Sequence, residues 1–223
     1  MSRLVYILTN YRYNKENPTI FGGDDMEYAT ERRLEDIAPL LERLDRGEKL
    51  TAEEQAELTA IRSLDGPFWK GELPQSIGVL TALKSLDLWE AQVCDLTPLS
   101  GLTALKSLKL DDTQVSDLTP LSGLTALETL DMDGTQVSNL TPLRGLTGLE
   151  SLDLRHTRVS DLTPLSDLTA LQYLDLSGTQ VKNLTPVSGL KKLEGLLLRT
   201  CSLRAIPREL YERFEDVYVY DTY

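Results

Sequence analysis

The sequence LTALKSLKL at residues 102–110 recurs in nearly identical form every 22 residues along the middle of the chain. A fixed period of this length indicates a repeat protein in which each unit is one small structural element. The other copies are LTALKSLDL at 80–88, LTALETLDM at 124–132, LTGLESLDL at 146–154 and LTALQYLDL at 168–176. If Leu105 is taken as position 1 of its unit, the other units begin at Leu83, Leu127, Leu149, Leu171 and Leu193.

The residue types within one unit indicate its structure. Positions 4 and 6, as in Leu108 and Leu110, alternate like a short strand with one buried face. Positions 14, 17 and 20 are mostly leucines spaced by three residues, which suits a 3₁₀-like turn. Thr119 followed by Pro120 predicts an N-cap and then proline at the first helical position. Because a single unit cannot bury its leucines, the units must stack around one continuous core.

This pattern resembles the leucine-rich repeats, and in particular their 22-residue internalin-like class. The resemblance covers residues 83–214, which we divide into six repeats. It implies an α/β solenoid, a right-handed superhelix with short parallel strands on the concave side and 3₁₀-like turns on the convex side. One position departs from the family, which usually has asparagine at position 9 to bond the corner backbone. Threonine, with fewer donors, stands there in four units, at Thr113, Thr135, Thr157 and Thr179, while the end units have Ala91 and Cys201.

The residues before the repeats predict a cap. Residues 1–60 are expected to form a small, mainly helical α/β cap that begins with a strand at RLVYIL. A helix is predicted over residues 25–45, kinked or split at Pro39. Thr51 and Glu54 have capping-box spacing and should start a second helix that runs to about Leu64.

The two ends of the repeat array are also predicted to depart from the regular unit. Residues 61–82 should be a degenerate first repeat, in which LPQSIGVLTAL replaces LTPLSGLTAL. Leu210 and Phe214 are expected to pack on the last repeat. Residues 215–223 form a tyrosine-rich segment that is either a tail or a closing strand.

Charge and hydropathy narrow the classes of partner. The formal net charge is −12, and an acidic chain repels phosphate backbones, so we expect no nucleic-acid ligand. No apolar run reaches the roughly 20 residues that a membrane helix needs, so we expect no membrane partner. The apolar residues 4–8 are shorter than the core of a signal peptide, which predicts a cytoplasmic protein, with secretion lacking a cleaved signal as the alternative. We expect the chain itself to be a monomer.

Residues that carry chemistry are few. His156 is the only histidine, and neither cysteine lies near it in the repeat register, so we predict no metal site, no cofactor and no catalytic residue. Cys94 and Cys201 stand five repeats apart, roughly 24 Å at about 4.8 Å per strand, which excludes a disulfide between them. An enzyme is therefore the function that the sequence favours least.

The variable strand positions are the candidates for partner binding, because the repeat itself leaves them free to differ. Positions 3, 5, 7 and 8 should point to the solvent of the concave side, and there they are mainly acidic. Aromatic residues and arginine dominate interface hot spots, which makes Trp89, Tyr173 and Arg155 the expected anchors. The candidate residues are Asp87, Trp89, Lys109, Asp111, Asp131, Asp133, Asp153, Arg155, His156, Tyr173 and Asp175.

The sequence leaves several interpretations of this face open. Asp131, Asp153 and Asp175 should stack in a repelling ladder, which needs cations or a partner to offset it. The leading hypothesis is a module that binds a basic protein or peptide there; a solvated polar face and calcium between the aspartates are the alternatives. A second hypothesis is that the chain is a substrate or precursor. In that case the repeats are a recognition handle, and the tail with Tyr218, Tyr220 and Tyr223 is modified or cleaved.

Overall fold

The computed structural model describes residues 31–66, 69–201, 203 and 206–213. Its strands are short and parallel, with one before the repeats and one in each repeat. They form one sheet in which the strand order follows the chain order, and they alternate with 3₁₀ turns, as in a leucine-rich-repeat solenoid. The strands are β1 (Glu31–Arg33), β2 (Ser63–Asp65), β3 (Ser85–Asp87), β4 (Ser107–Lys109), β5 (Thr129–Asp131), β6 (Ser151–Asp153), β7 (Tyr173–Asp175) and β8 (Gly195–Leu197).

The repeat register predicted from the sequence is confirmed by the strand pairing. From β2 to β7, each strand pairs with the next strand so that paired residues lie 22 positions apart, as in Leu108 with Leu130 and Leu130 with Leu152. The position-4 leucines are fully buried, with Leu130 0% and Leu152 1% exposed. All repeats contribute to one continuous apolar core. The burial of one face of each strand leaves positions 3 and 5 on the other face.

The convex side consists of 3₁₀ turns, as predicted, but the predicted N-cap is wrong. Leu118 is the N-cap, and Pro120 is the second residue of its turn. The Asp117 carboxylate accepts hydrogen bonds from the Thr119 backbone N–H at 2.9 Å and from its hydroxyl at 2.6 Å. An aspartate side chain readily accepts a hydrogen bond from the backbone N–H two residues later, and a threonine hydroxyl does so more weakly. The Asp117 carboxylate therefore satisfies the free N–H at the start of the turn. The turns are Gln75–Val79, Thr97–Leu99, Thr119–Leu121, Thr141–Leu143, Thr163–Leu165 and Thr185–Val187.

A corner ends each strand at positions 8 and 9. Position 8 has a left-handed backbone in every repeat from β3 to β8, and glycine occupies it only at Gly134 and Gly178. At position 9 the threonine hydroxyls donate to the carbonyl three residues earlier, for example Thr157 to Leu154 at 2.7 Å. This confirms that threonine bonds the corner backbone in place of asparagine. In the last repeat the Cys201 thiol donates instead to the Leu176 carbonyl at 2.9 Å.

The N-terminal helices differ in extent from the prediction. The first helix, α1 (Leu34–Asp45), begins after strand β1, and it continues through Pro39. The second, α2 (Ala52–Ala60), has the predicted capping box of Thr51 and Glu54. It ends at Ala60 rather than near Leu64, because Leu64 is the buried position-4 leucine of β2 and its backbone pairs with β3.

The first helix, α1, docks on the first 3₁₀ turn of the repeats. The Asp45 carboxylate, at the end of α1, accepts hydrogen bonds from the backbone N–H groups of Gln75 at 3.0 Å and Ser76 at 2.7 Å. The Ser76 hydroxyl donates to the Leu41 carbonyl at 2.7 Å. The otherwise free donors of that turn are thus satisfied by the neighbouring helix.

The last repeat ends in a short helix, α3 (Arg208–Arg213), instead of a 3₁₀ turn. Leu210 is fully buried against the core, as predicted. Several predictions fall on residues outside the described part of the chain. They are the strand at RLVYIL, residues 25–30 of the first helix, the packing of Phe214, and the tail with Tyr218, Tyr220 and Tyr223. Within the part of the chain that the structure describes, no helix is long and apolar enough to cross a membrane.

Candidate partner-binding face

The strand pairing brings the predicted position-5 residues into one row, which we call the acidic row although it includes Lys109. Asp87 pairs with Lys109, Lys109 with Asp131, Asp131 with Asp153, and Asp153 with Asp175. The row begins one strand earlier than we predicted, because Asp65 pairs with Asp87. The signal was present in the sequence, since SLDG at 63–66 matches SLDL at 85–88. We define the strand face as positions 3, 5, 7 and 8 of the repeats that contain β3 to β8, together with Ser63 and Asp65 of β2.

The repulsion predicted for Asp131, Asp153 and Asp175 is partly offset within the chain. The Arg155 guanidinium lies 2.7 Å from Asp153 Oδ2, 3.7 Å from Asp175 Oδ2 and 3.3 Å from Asp133 Oδ2. One arginine thus pairs with carboxylates of three successive repeats. At the other end of the row, Lys109 Nζ lies 3.6 Å from Asp87 Oδ2.

Several of these carboxylates also have a structural role. Asp87, Asp153 and Asp175 each accept a hydrogen bond at 2.9 Å from the backbone N–H two residues later in their own repeat. At position 7 the Asp111 carboxylate accepts from the Asp133 backbone N–H of the next repeat at 3.2 Å. Ser177, also at position 7, is buried, so not every residue of this column faces solvent as predicted. Aspartate is therefore favoured at these positions partly because its carboxylate accepts hydrogen bonds from backbone N–H groups.

Burial raises the pKa of the central carboxylates. Desolvation, together with the charges of Asp131 and Asp153, raises the pKa of Asp111 to about 7. Desolvation also raises the pKa of Asp153 to about 6, although Arg155 opposes that shift. The pKa of Asp131 is raised by desolvation, against the attraction of Lys109 and Arg155. Asp111 forms no ion pair with any cationic side chain in the described part of the chain.

His156 is solvated, as its position at the strand exit indicated. Its side chain is 65% exposed, and Nδ1 lies 2.8 Å from Asp133 Oδ1. The imidazole ring covers Gly178 of the next repeat, where an added methyl group would overlap it. His156 therefore belongs to the charged network of the strand face. The described residues contain no group of three or more histidine, cysteine or acidic side chains placed to hold a metal ion.

The two predicted aromatic anchors differ in exposure. Trp89 is half-buried beside Asp87, whereas Tyr173 is 55% exposed. The Tyr173 ring lies over Gly195 of the neighbouring strand, in space that a methyl group at Gly195 would need. Trp89 therefore lies in the repeat of β3, one strand after the row begins at Asp65. Tyr173 lies in β7, the strand that carries the last carboxylate of the row, Asp175.

The fold and the repeat register define a leucine-rich-repeat protein. A family model described as leucine-rich repeats, in two copies, matches residues 103–145 and 147–192. The internalin C2 structure from Listeria monocytogenes is 33% identical, with a TM-score of 0.67, and the match covers 76% of each chain. The chain therefore belongs to the leucine-rich-repeat family, and its repeats are internalin-like. A search of curated proteins found no significant match.

Other solved structures share the fold. An internalin, inlF, from Listeria monocytogenes is 34% identical with a TM-score of 0.68; the match covers 77% of this chain but 50% of that one. This chain thus spans about half the length of inlF. The ectodomain of the plant membrane receptor kinase GASSHO1/SCHENGEN3 from Arabidopsis thaliana was solved in complex with CASPARIAN STRIP INTEGRITY FACTOR 2. It is 24% identical with a TM-score of 0.62, over 73% of this chain and 21% of that one.

Proposed function

We propose that the protein binds a basic protein or peptide on its strand face. Leucine-rich repeats are in general protein-interaction modules. The observation that carries the more specific proposal is Asp111, a largely desolvated carboxylate to which no described residue supplies an ion-pair partner. A cationic side chain from a partner would remove the repulsion that Asp131 and Asp153 exert on it.

The charge distribution supports the same class of partner. Six basic residues stand against 14 acidic residues between 83 and 175, whereas seven stand against three between 182 and 213. An acidic surface accelerates association with cationic partners, and the acceleration weakens as salt rises. The cytoplasmic location and the monomeric state remain predictions from the sequence.

A random-peptide library displayed on phage tests this proposal. We expect the peptides selected by the purified protein to carry net positive charge and to bind less tightly as ionic strength increases. The triple variant Asp111→Asn, Asp131→Asn and Asp133→Asn should weaken their binding by about tenfold or more, since each tenfold loss corresponds to about 1.4 kcal/mol.

The chain offers a matched control on its convex side. Asp95→Asn, Asp117→Asn and Asp161→Asn remove the same formal charge at position 13, where two other repeats already have Asn139 and Asn183 in the same role. This control should bind the selected peptides with affinity close to that of the parent protein. Selection of neutral or acidic peptides, or equal losses in both triple variants, would contradict the proposal.

A further inference from the structure

Tyr173 is a large aromatic residue at a strand-face position where the other repeats have small residues. The other position-3 residues are small, namely Ser63, Ser85, Ser107, Thr129, Ser151 and Gly195. Tyr173 and Val79 are the exposed large hydrophobic side chains among the described residues, and Tyr173 is the more exposed, at 55%. An aromatic ring that stands above small neighbours leaves its faces and edge accessible to a partner.

Gly195 and Leu197 extend this ring into a small apolar surface. Gly195 lacks the Cβ that would displace the Tyr173 ring, so the ring has a fixed place over the backbone of β8. At position 5, Leu197 follows a row of charged residues from Asp65 to Asp175, and its side chain is half-buried. We call Tyr173, Gly195 and Leu197 the aromatic platform. It lies at the C-terminal end of the acidic row.

The distance between the platform and Asp111 follows from the strand spacing. Three strand steps separate β4 from β7, roughly 14 Å at about 4.8 Å each. Positions 3 and 7 are four residues apart along the strand, roughly 13 Å at about 3.3 Å each. The direct separation is therefore roughly 19 Å, which an extended peptide spans with about five or six residues.

We propose that the partner is an extended segment with an aromatic or large apolar side chain on the aromatic platform and a lysine or arginine beside Asp111, five or six residues away. This inference rests on the proposed function and adds the partner's pattern and its direction along the sheet. The platform excludes water from an apolar side chain, and Asp111 fixes the position of a cation. Charge alone does not orient the segment; the platform does, because it lies at one end of the row.

The same phage selection tests the pattern. We expect selected sequences to share a basic residue and an aromatic or large apolar residue separated by four or five intervening positions. Tyr173→Ala should weaken binding of a selected peptide by about tenfold, mainly through faster dissociation. Tyr173→Phe keeps the ring and should stay within about threefold of the parent affinity.

Gly195→Ala tests whether the ring position matters, because the added methyl group must displace the ring. It should weaken binding while Tyr173 itself is retained. The control is Gly145→Ala, where a methyl group meets nothing within 4 Å. Thermal unfolding of each variant identifies any loss that comes from unfolding.

The outcomes separate this inference from the proposed function. If Tyr173→Ala and Gly195→Ala both bind selected peptides like the parent protein while the triple Asn variant does not, the acidic face binds and the platform inference is wrong. If the selected peptides lack the spaced pair, the inference is also wrong. If the peptides keep the spaced pair but the triple Asn variant binds them normally, the proposed function itself fails.

Discussion

Among the described residues, Asp111 is the side chain whose ionisation should affect stability most. Its pKa is raised to about 7, and desolvation is the largest cause. The carboxyl group therefore keeps its proton in the folded protein at a pH where it has already lost that proton in the unfolded chain. Folding therefore becomes less favourable as pH rises from about 4 to about 7, and the penalty is complete above pH 7. Asp111→Asn should raise the free energy of unfolding at pH 8 by about 1–3 kcal/mol, and by less at pH 5.

Urea denaturation at pH 5 and pH 8 measures this difference. Asp167→Asn is the control, because Asp167 is an exposed aspartate outside the strand face. It should change stability by the same small amount at both pH values. The amide oxygen introduced by Asp111→Asn can still accept from the Asp133 backbone N–H, so if this variant were destabilised at pH 8, the extra strength of that bond to a charged acceptor would outweigh the desolvation of the carboxylate.

The sequence predicted which residues line the strand face, but it did not predict their contacts. The columns follow from the 22-residue period alone, so Asp131, Asp153 and Asp175 fall in one row without any coordinates. That Arg155 reaches carboxylates of three repeats depends on a rotamer, which the period does not fix. The capping of Thr119 by Asp117 was missed for a related reason, because both residues are plausible local acceptors.

At the scale of the elements, the corners after β4, β5, β6 and β7 each have a buried threonine hydroxyl that bonds the backbone. Thr157 is 3% exposed and donates to the Leu154 carbonyl at 2.7 Å. Thr157→Val keeps the shape but removes the hydroxyl donor, so the Leu154 carbonyl retains only the longer hydrogen bond from the Thr157 backbone N–H at 3.3 Å. We expect the free energy of unfolding to fall by about 0.5–1.5 kcal/mol, which denaturant melts can measure.

Thr157→Ser is the matched control for this corner. Serine keeps the hydroxyl and removes one buried methyl group, which should cost about 1 kcal/mol or less. A Val variant as stable as the parent protein would mean that the corner carbonyl does not need the hydroxyl.

Element boundaries were less predictable from the sequence than element types. The capping box placed the start of α2 correctly at Thr51 and Glu54. Its end was predicted too late, because Leu64 fits both the spacing of a helix and the alternation of a strand. The pairing of Leu64 with Leu86 in β3 places it in a strand. Residues 31–33 were assigned to a helix and instead extend the sheet as β1, which no local signal indicated.

At the scale of the whole molecule, the stacking of repeats brings like charges close together. The dependence of the melting temperature on salt concentration shows whether repulsion or ion-pair attraction dominates. The net charge is −12, and the ion pairs of Lys109 and Arg155 compensate only part of the acidic row. Raising the NaCl concentration from about 0.02 M to about 0.5 M shortens the screening length from roughly 20 Å to roughly 4 Å. Since acidic residues outnumber basic ones by 35 to 23, we expect screening of repulsion to outweigh screening of the ion pairs, and the melting temperature to rise with salt.

The size of this rise should depend on the strand face. The triple variant Asp111→Asn, Asp131→Asn and Asp133→Asn removes three formal negative charges and should show a smaller increase than the parent protein. The position-13 variant, with Asp95→Asn, Asp117→Asn and Asp161→Asn, removes the same charge from exposed sites. There hydrogen bonds from threonine side chains and backbone N–H groups keep the pKa of each carboxyl low. It should keep most of the parent's salt response, because water already screens those carboxylates. A melting temperature that falls with salt in the parent protein would mean that attraction within the ion pairs outweighs the repulsion along the row.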